Sequence, residues 1–245
     1  MNNYNEGKLV YPEYSHITNR NYIVDIAEIV KQKHKIPMQY ETINVGGNPD
    51  DLHQLSKKLD RYFLHIIEEI AEFLEEIDKM KLTKSDYLIL KEDSNKDCLM
   101  ELIDVAAYIS SVISILYIDM YGLENVAKGE YYDTIEKHFI IDMCDYEAIH
   151  FKEPMVDTIN KELMNVEKIL MLDVRRLFPE RKWHKDVNRT LSIFELDTLY
   201  EKCINSCSKA LVGIISMFLY LTDNNYELFN KLFLEKNEIV YSLKK

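Results

Sequence analysis

Residues 105–118 carry no charged side chain, yet the turn that leads into them carries two, Glu101 and Asp104. No other feature narrows the folding of this chain as much. At about 100° per residue, the spacing places the two carboxylates roughly 60° apart on one side of a helix. Leu99, Met100, Leu102, Ile103 and Val105 surround them, so this helix is apolar nearly all round and is expected to be buried. A buried carboxylate without a partner is costly, and a lysine, an arginine or a cation must compensate.

The preceding helical stretch, residues 61–79, supplies acids rather than bases. It contains Glu68, Glu69, Ile70, Ala71 and Glu72, and its Glu69 and Glu72 repeat the same angular spacing. Its apolar arc is Phe63, Ile66, Ile67, Ile70, Phe73, Leu74 and Ile77, with Glu69 on the border and Glu68, Glu72 and Glu75 opposite. Two such helices side by side aim four carboxylates at one point. Acids meeting acids call for a divalent metal, and an all-oxygen ligand set selects Mg²⁺ or Mn²⁺ with positions left for water and phosphate oxygens. E-E-x-x-E alone is usually a solvated face. E-x-x-D inside an uncharged helix, on the next element, gives the pair its weight.

This succession resembles the all-α nucleoside triphosphate pyrophosphohydrolases, which include the dimeric dUTPases and the MazG proteins. The run Glu101-Leu102-Ile103-Asp104-Val105-Ala106-Ala107-Tyr108 is similar to their second motif helix. The resemblance implies an all-α helical bundle of that type, with extra helices inserted after the second motif helix. It implies Glu69, Glu72, Glu101 and Asp104 as metal ligands, Glu68 in the shell of a second ion, and Glu69 as the group that handles the attacking water. A later stretch, Lys236-Asn237-Glu238-Ile239, resembles the K-N-x-[IL]-N-x-x-R segment of dimeric dUTPases. It implies Lys236 as a phosphate contact and Asn237 as a contact to phosphate or sugar. Val240 and Leu243 depart from that pattern, and Lys244 lies one position beyond the expected arginine. The implied activity is metal-dependent hydrolysis of a nucleoside triphosphate, dUTP first, to monophosphate and pyrophosphate, in a homodimer.

Composition bounds the reading. A chain of 245 residues with 47% hydrophobic and 29% charged residues can bury a sizeable core. Only six Gly and five Pro favour helices over a turn-rich β architecture. A net charge of −12 disfavours a nucleic-acid partner, while a bound metal still admits an anionic small substrate. The four cysteines show no C-x-x-C spacing and read as reduced thiols rather than a zinc site. The N-terminus lacks a signal pattern and the uncharged run falls short of the about 20 residues a bilayer requires, so a cytoplasmic protein without membrane contact is expected.

Along the chain we expect a single all-α domain over residues 1–245. A first helix lies over 21–33, and motif helices over about 49–80 and 95–121. A variable helical region of about 123–190 holds a helix over 155–177, and C-terminal helices occupy about 192–245. Asn48 and Pro49 suit a helix start, Ser94 with Asp97 and Ser192 with Glu195 suit capping boxes, and Gly122 suits a helix end. The basic cluster around Trp183 reads as a solvated loop. Two other functions compete: a catalytically reduced binding or regulatory protein on the same scaffold, and a di-iron bundle. The latter needs E-x-x-H pairs on two helices, whereas His65 precedes Glu68 in the reverse order and the second motif helix has no His.

Overall fold

The computed structural model describes residues 49–82, 89–121, 155–174, 190–223 and 225–242. Every regular element among them is helical. In chain order they are α1 (Pro49–Lys79), α2 (Glu92–Tyr121), α3 (Met155–Lys168), α4 (Ile193–Leu221) and α5 (Tyr226–Ser242), and a π-helical turn, Ile169–Val174, continues α3. The described part of the chain is thus all-α. The helix expected over 21–33, most of the variable region and the cluster around Trp183 lie outside the described residues.

α2 is the central element, with α1, α4 and α5 packed on it, and α3 with its π-helical turn packs on α4. From Leu102 to Tyr117 every α2 residue is buried except Tyr108. Three serines in this stretch would be expensive there unless paired. Ser110, Ser111 and Ser114 donate to the carbonyls of Ala106, Ala107 and Ser110 one turn back, at 2.7, 2.8 and 2.8 Å.

α1 buries the stripe Leu55, Leu59, Phe63, Ile66, Ile70, Phe73 and Ile77, the three- and four-residue spacing of an amphipathic helix. Each such side chain contributes about 1.5–3 kcal/mol when fully buried. On α4 the same rule holds over a wider arc, including Tyr200, Cys203, Cys207, Leu211 and Phe218.

Length and composition alone would let residues 92–117 of α2 and all of α4 cross a membrane, so the short uncharged run does not exclude this. The most apolar 18-residue stretch of each is 83% and 72% buried within the protein, as the central helices of a bundle are.

The ends of the helices follow local chemistry. Ser192 forms the expected capping box: its Oγ accepts from the Glu195 amide at 3.3 Å, and Glu195 Oε2 accepts from the Ser192 amide at 3.0 Å. Asn225 Oδ1 accepts from the Leu228 amide at 3.0 Å and caps α5. The box expected at Ser94 and Asp97 is replaced by another device. α2 begins at Glu92 and is kinked at Asn95, whose φ and ψ are −136° and 25°. Asn95 Oδ1 accepts from the Lys91 amide at 3.2 Å and from the Ser94 hydroxyl at 2.9 Å. A short amide competes here with the helical ladder for backbone donors.

Candidate metal centre

α1 and α2 meet antiparallel. Glu69 and Glu72 face Glu101 near one end of the seam, and Tyr62 and His65 face Tyr108 further along it, one turn from Glu69 and two turns from Glu101. On α1 the stripe is Tyr62, His65, Glu69, Glu72, and on α2 it is Glu101, Asp104, Tyr108. Each repeats the three- and four-residue steps that keep side chains on one helix face.

Three of the four expected ligands converge. One carboxylate oxygen from each of Glu69, Glu72 and Glu101 lies within 4.8 Å of the others. Among the described residues, no lysine or arginine forms an ion pair with any of these three. Like charges about 4 Å apart repel by about 1 kcal/mol in water and about 4 kcal/mol at an effective dielectric of 20. A half-buried site lies between these limits, so a proton or a cation must share it.

In the metal-free protein a proton does so. Burial, then the hydrogen bond to Glu69, then the charges of Glu69, Glu72 and Asp104 push the Glu101 carboxyl up to about 8. Burial foremost also raises Glu69, while its bond to Glu101 and the charge of Lys236 pull the other way. Glu101 is therefore the proton donor of the pair and Glu69 the acceptor.

The fourth expected ligand, Asp104, lies one turn further on and is buried at 7% exposure. Its Oδ2 accepts from Lys236 Nζ on α5 at 2.5 Å. Its charge still acts on both Glu69 and Glu101. Lys236 thus stands at the same site, although 132 residues separate it from Asp104 in the chain. Asn237 follows it on α5. Glu68 points elsewhere: it is exposed, and its Oε2 lies 2.9 Å from His65 Nδ1.

The seat of α5 on α2 explains why Lys236 arrives there. Lys231 bridges both oxygens of Glu92 at 2.7 and 2.8 Å, and Lys96 donates to Glu235 at 2.7 Å. The order of these pairs makes α5 parallel to α2, and the next residue after Glu235 is Lys236.

The donor set fits a hard divalent cation. It is all oxygen, and Mg²⁺ with ligands at about 2.0–2.1 Å places opposite oxygens about 4 Å apart, so small side-chain rotations close the 4.8 Å group. Sulfur does not intrude. Cys98 is buried nearby with its thiol pushed up to about 12 by burial and by the charges of Glu76 and Glu101, which keeps it neutral. Cys203 and Cys207 are buried on α4, unpaired and raised by burial. No His joins the carboxylate group among the described residues, which leaves the E-x-x-H pattern of a di-iron centre unmet.

Sequence reasoning missed the aromatic end of the seam. His65 stacks on Tyr108 with ring centroids 5.2 Å apart and planes 16° from parallel. Tyr62 meets Tyr108 edge-on at 6.3 Å and 68°. The signal was present in the spacing: Tyr62 and His65 precede Glu69 on its stripe, and Tyr108 follows Asp104.

Among the described residues, the fold and this site define an all-α bundle with a carboxylate cluster between two antiparallel helices. No protein-family model, curated protein or solved structure matches the chain.

Proposed function

We propose that this protein is a divalent-metal-dependent nucleoside triphosphate pyrophosphohydrolase, with dUTP the first substrate to test. The observation that carries the reading is the convergence of Glu69, Glu72 and Glu101 within 4.8 Å from two helices. Asp104 and Lys236 stand beside them. Mg²⁺ or Mn²⁺ held there supplies charge neutralisation for a triphosphate.

The remaining work falls to the chain itself. Glu69 takes a proton from the attacking water. The water oxygen bonds to the α-phosphorus, the bond to the bridging oxygen breaks, and pyrophosphate leaves. Lys236, held by the buried Asp104, binds a phosphate oxygen, and Asn237 binds phosphate or sugar. Homodimer formation in the cytoplasm belongs to the same reading.

Pyrophosphate release from dUTP, dCTP, dTTP and ATP, with Mg²⁺, Mn²⁺ or chelator, tests it. Metal-dependent release is expected. Glu101→Gln and Asp104→Asn should each lower turnover at least about 100-fold with helical content retained. Full turnover in both variants would sink the proposal.

One observation favours a second reading. The Asp104 carboxylate is already matched by Lys236, as in a site that neutralises itself. A catalytically reduced binding or regulatory protein would bind the nucleotide and release no pyrophosphate under any metal.

A further inference from the structure

Tyr108 is the single residue between Leu102 and Tyr117 that α2 does not bury. Over it lies His65, whose side chain is 51% exposed. An exposed histidine on a helix normally samples several rotamers, but this ring is held twice. Its inner face stacks on Tyr108, and its Nδ1 is paired with Glu68. A flat ring, half exposed and held against Tyr108, stands one helical turn from Glu69, the nearest member of the carboxylate cluster. One turn is about 5.4 Å along the axis. A pentose sets a comparable separation between a base and its first phosphate.

We propose that the aromatic end of the α1–α2 seam, with the outer face of His65 as platform and Tyr108 and Tyr62 as its support, holds the base of the nucleotide by stacking. The inference rests on the proposed nucleotide chemistry at the carboxylates and deepens it. Glu68 becomes a positioning residue: it fixes the imidazole plane rather than touching the metal. Stacking uses the π-face that every base has, so this end supplies affinity common to all bases and little discrimination among them.

Packing alone would also place His65 on Tyr108, so the test separates a base from a phosphate chain. The full chain, with Mg²⁺, is titrated calorimetrically with α,β-imido-dUTP and with imidodiphosphate, which carries phosphates and no base. The wild type should bind the nucleotide analogue more tightly than imidodiphosphate. His65→Ala should weaken analogue binding about 10-fold and leave imidodiphosphate binding unchanged. His65→Phe keeps a flat ring and should restore most of the loss. Glu68→Gln should give a smaller loss in analogue binding alone.

Equal affinity of the wild type for both probes, or unchanged analogue binding in His65→Ala, would overturn the stacking proposal while leaving the metal–phosphate site standing. A loss shared by both probes in His65→Ala would assign the residue to the phosphate end and also overturn it. Binding of neither probe would overturn the nucleotide reading, and this one with it.

Discussion

Glu101 and Asp119 lie on the same helix, and both hold a proton beyond the usual carboxylate range for different reasons. Glu101 is raised from 4.5 to about 8 by burial and by its acidic neighbours. Asp119 is raised from 3.8 to about 7 by burial, against the opposing charge of Lys58. Its Oδ2 and the Tyr200 hydroxyl are both buried without hydrogen-bond partners among the described residues. In each case the folded chain keeps a proton that the unfolded chain releases. The stability contribution is full below the unfolded pKa and is lost as pH rises through the folded one. With chelator present, the wild-type Tm should therefore fall between about pH 4.5 and 8. Glu101→Gln should flatten that fall, and Asp119→Asn should raise Tm at pH 8 but not at pH 4. Calorimetry across that range checks both. Mg²⁺ competes with the shared proton, so its affinity should rise with pH through about 8.

Helix ends give a different kind of prediction, because their energies are local. Lys81, just beyond α1, has φ of 52°, the left-handed region that penalises any side chain with a Cβ. The Lys81 amide still donates to the Asp78 carbonyl at 3.0 Å, so the conformation belongs to the helix stop. Lys81→Gly should stabilise by about 1 kcal/mol, read as an upward shift in urea midpoint. The capping box of α4 predicts the opposite sign: Ser192→Ala should cost about 1 kcal/mol. Core stripes, the Ser192–Glu195 capping box and the two acid pairs were legible at this scale, because each depends on neighbours within about one turn. The kink at Asn95 was not, since a serine and an asparagine are equally good candidates to cap there and only the backbone geometry decides between them. Nor was the π-helical turn Ile169–Val174, which extends the apolar pattern of α3 with a different hydrogen-bond register.

Across the whole molecule, the seat of α5 on α2 sets the electrostatics of the centre. Lys236 pairs with Asp104 and also lowers Glu69. Removing it leaves a buried carboxylate beside three others. In chelator, Lys236→Met should lower Tm markedly, the usual result when one partner of a buried pair is lost. Saturating Mg²⁺ should recover more Tm in this variant than in the wild type, because the cation replaces the missing charge. A thermal-shift series with and without Mg²⁺ reads both effects. An equal response to Mg²⁺ in the two proteins would mean that Lys236 and the cation do not share a field.

The sequence by itself determined that these helices exist, which faces they bury, and that Glu69 with Glu72, and Glu101 with Asp104, share one face of their own helix. Those properties follow from the helical period and from the cost of burying charge, both of which act within a few residues. Tertiary structure decided which of the four carboxylates meet, that Asp104 turns to Lys236, and that His65 lies flat on Tyr108. These pairings join positions far apart in the chain. They depend on how α1 and α5 settle against α2, and that packing is set by apolar contacts rather than by the polar residues it brings together.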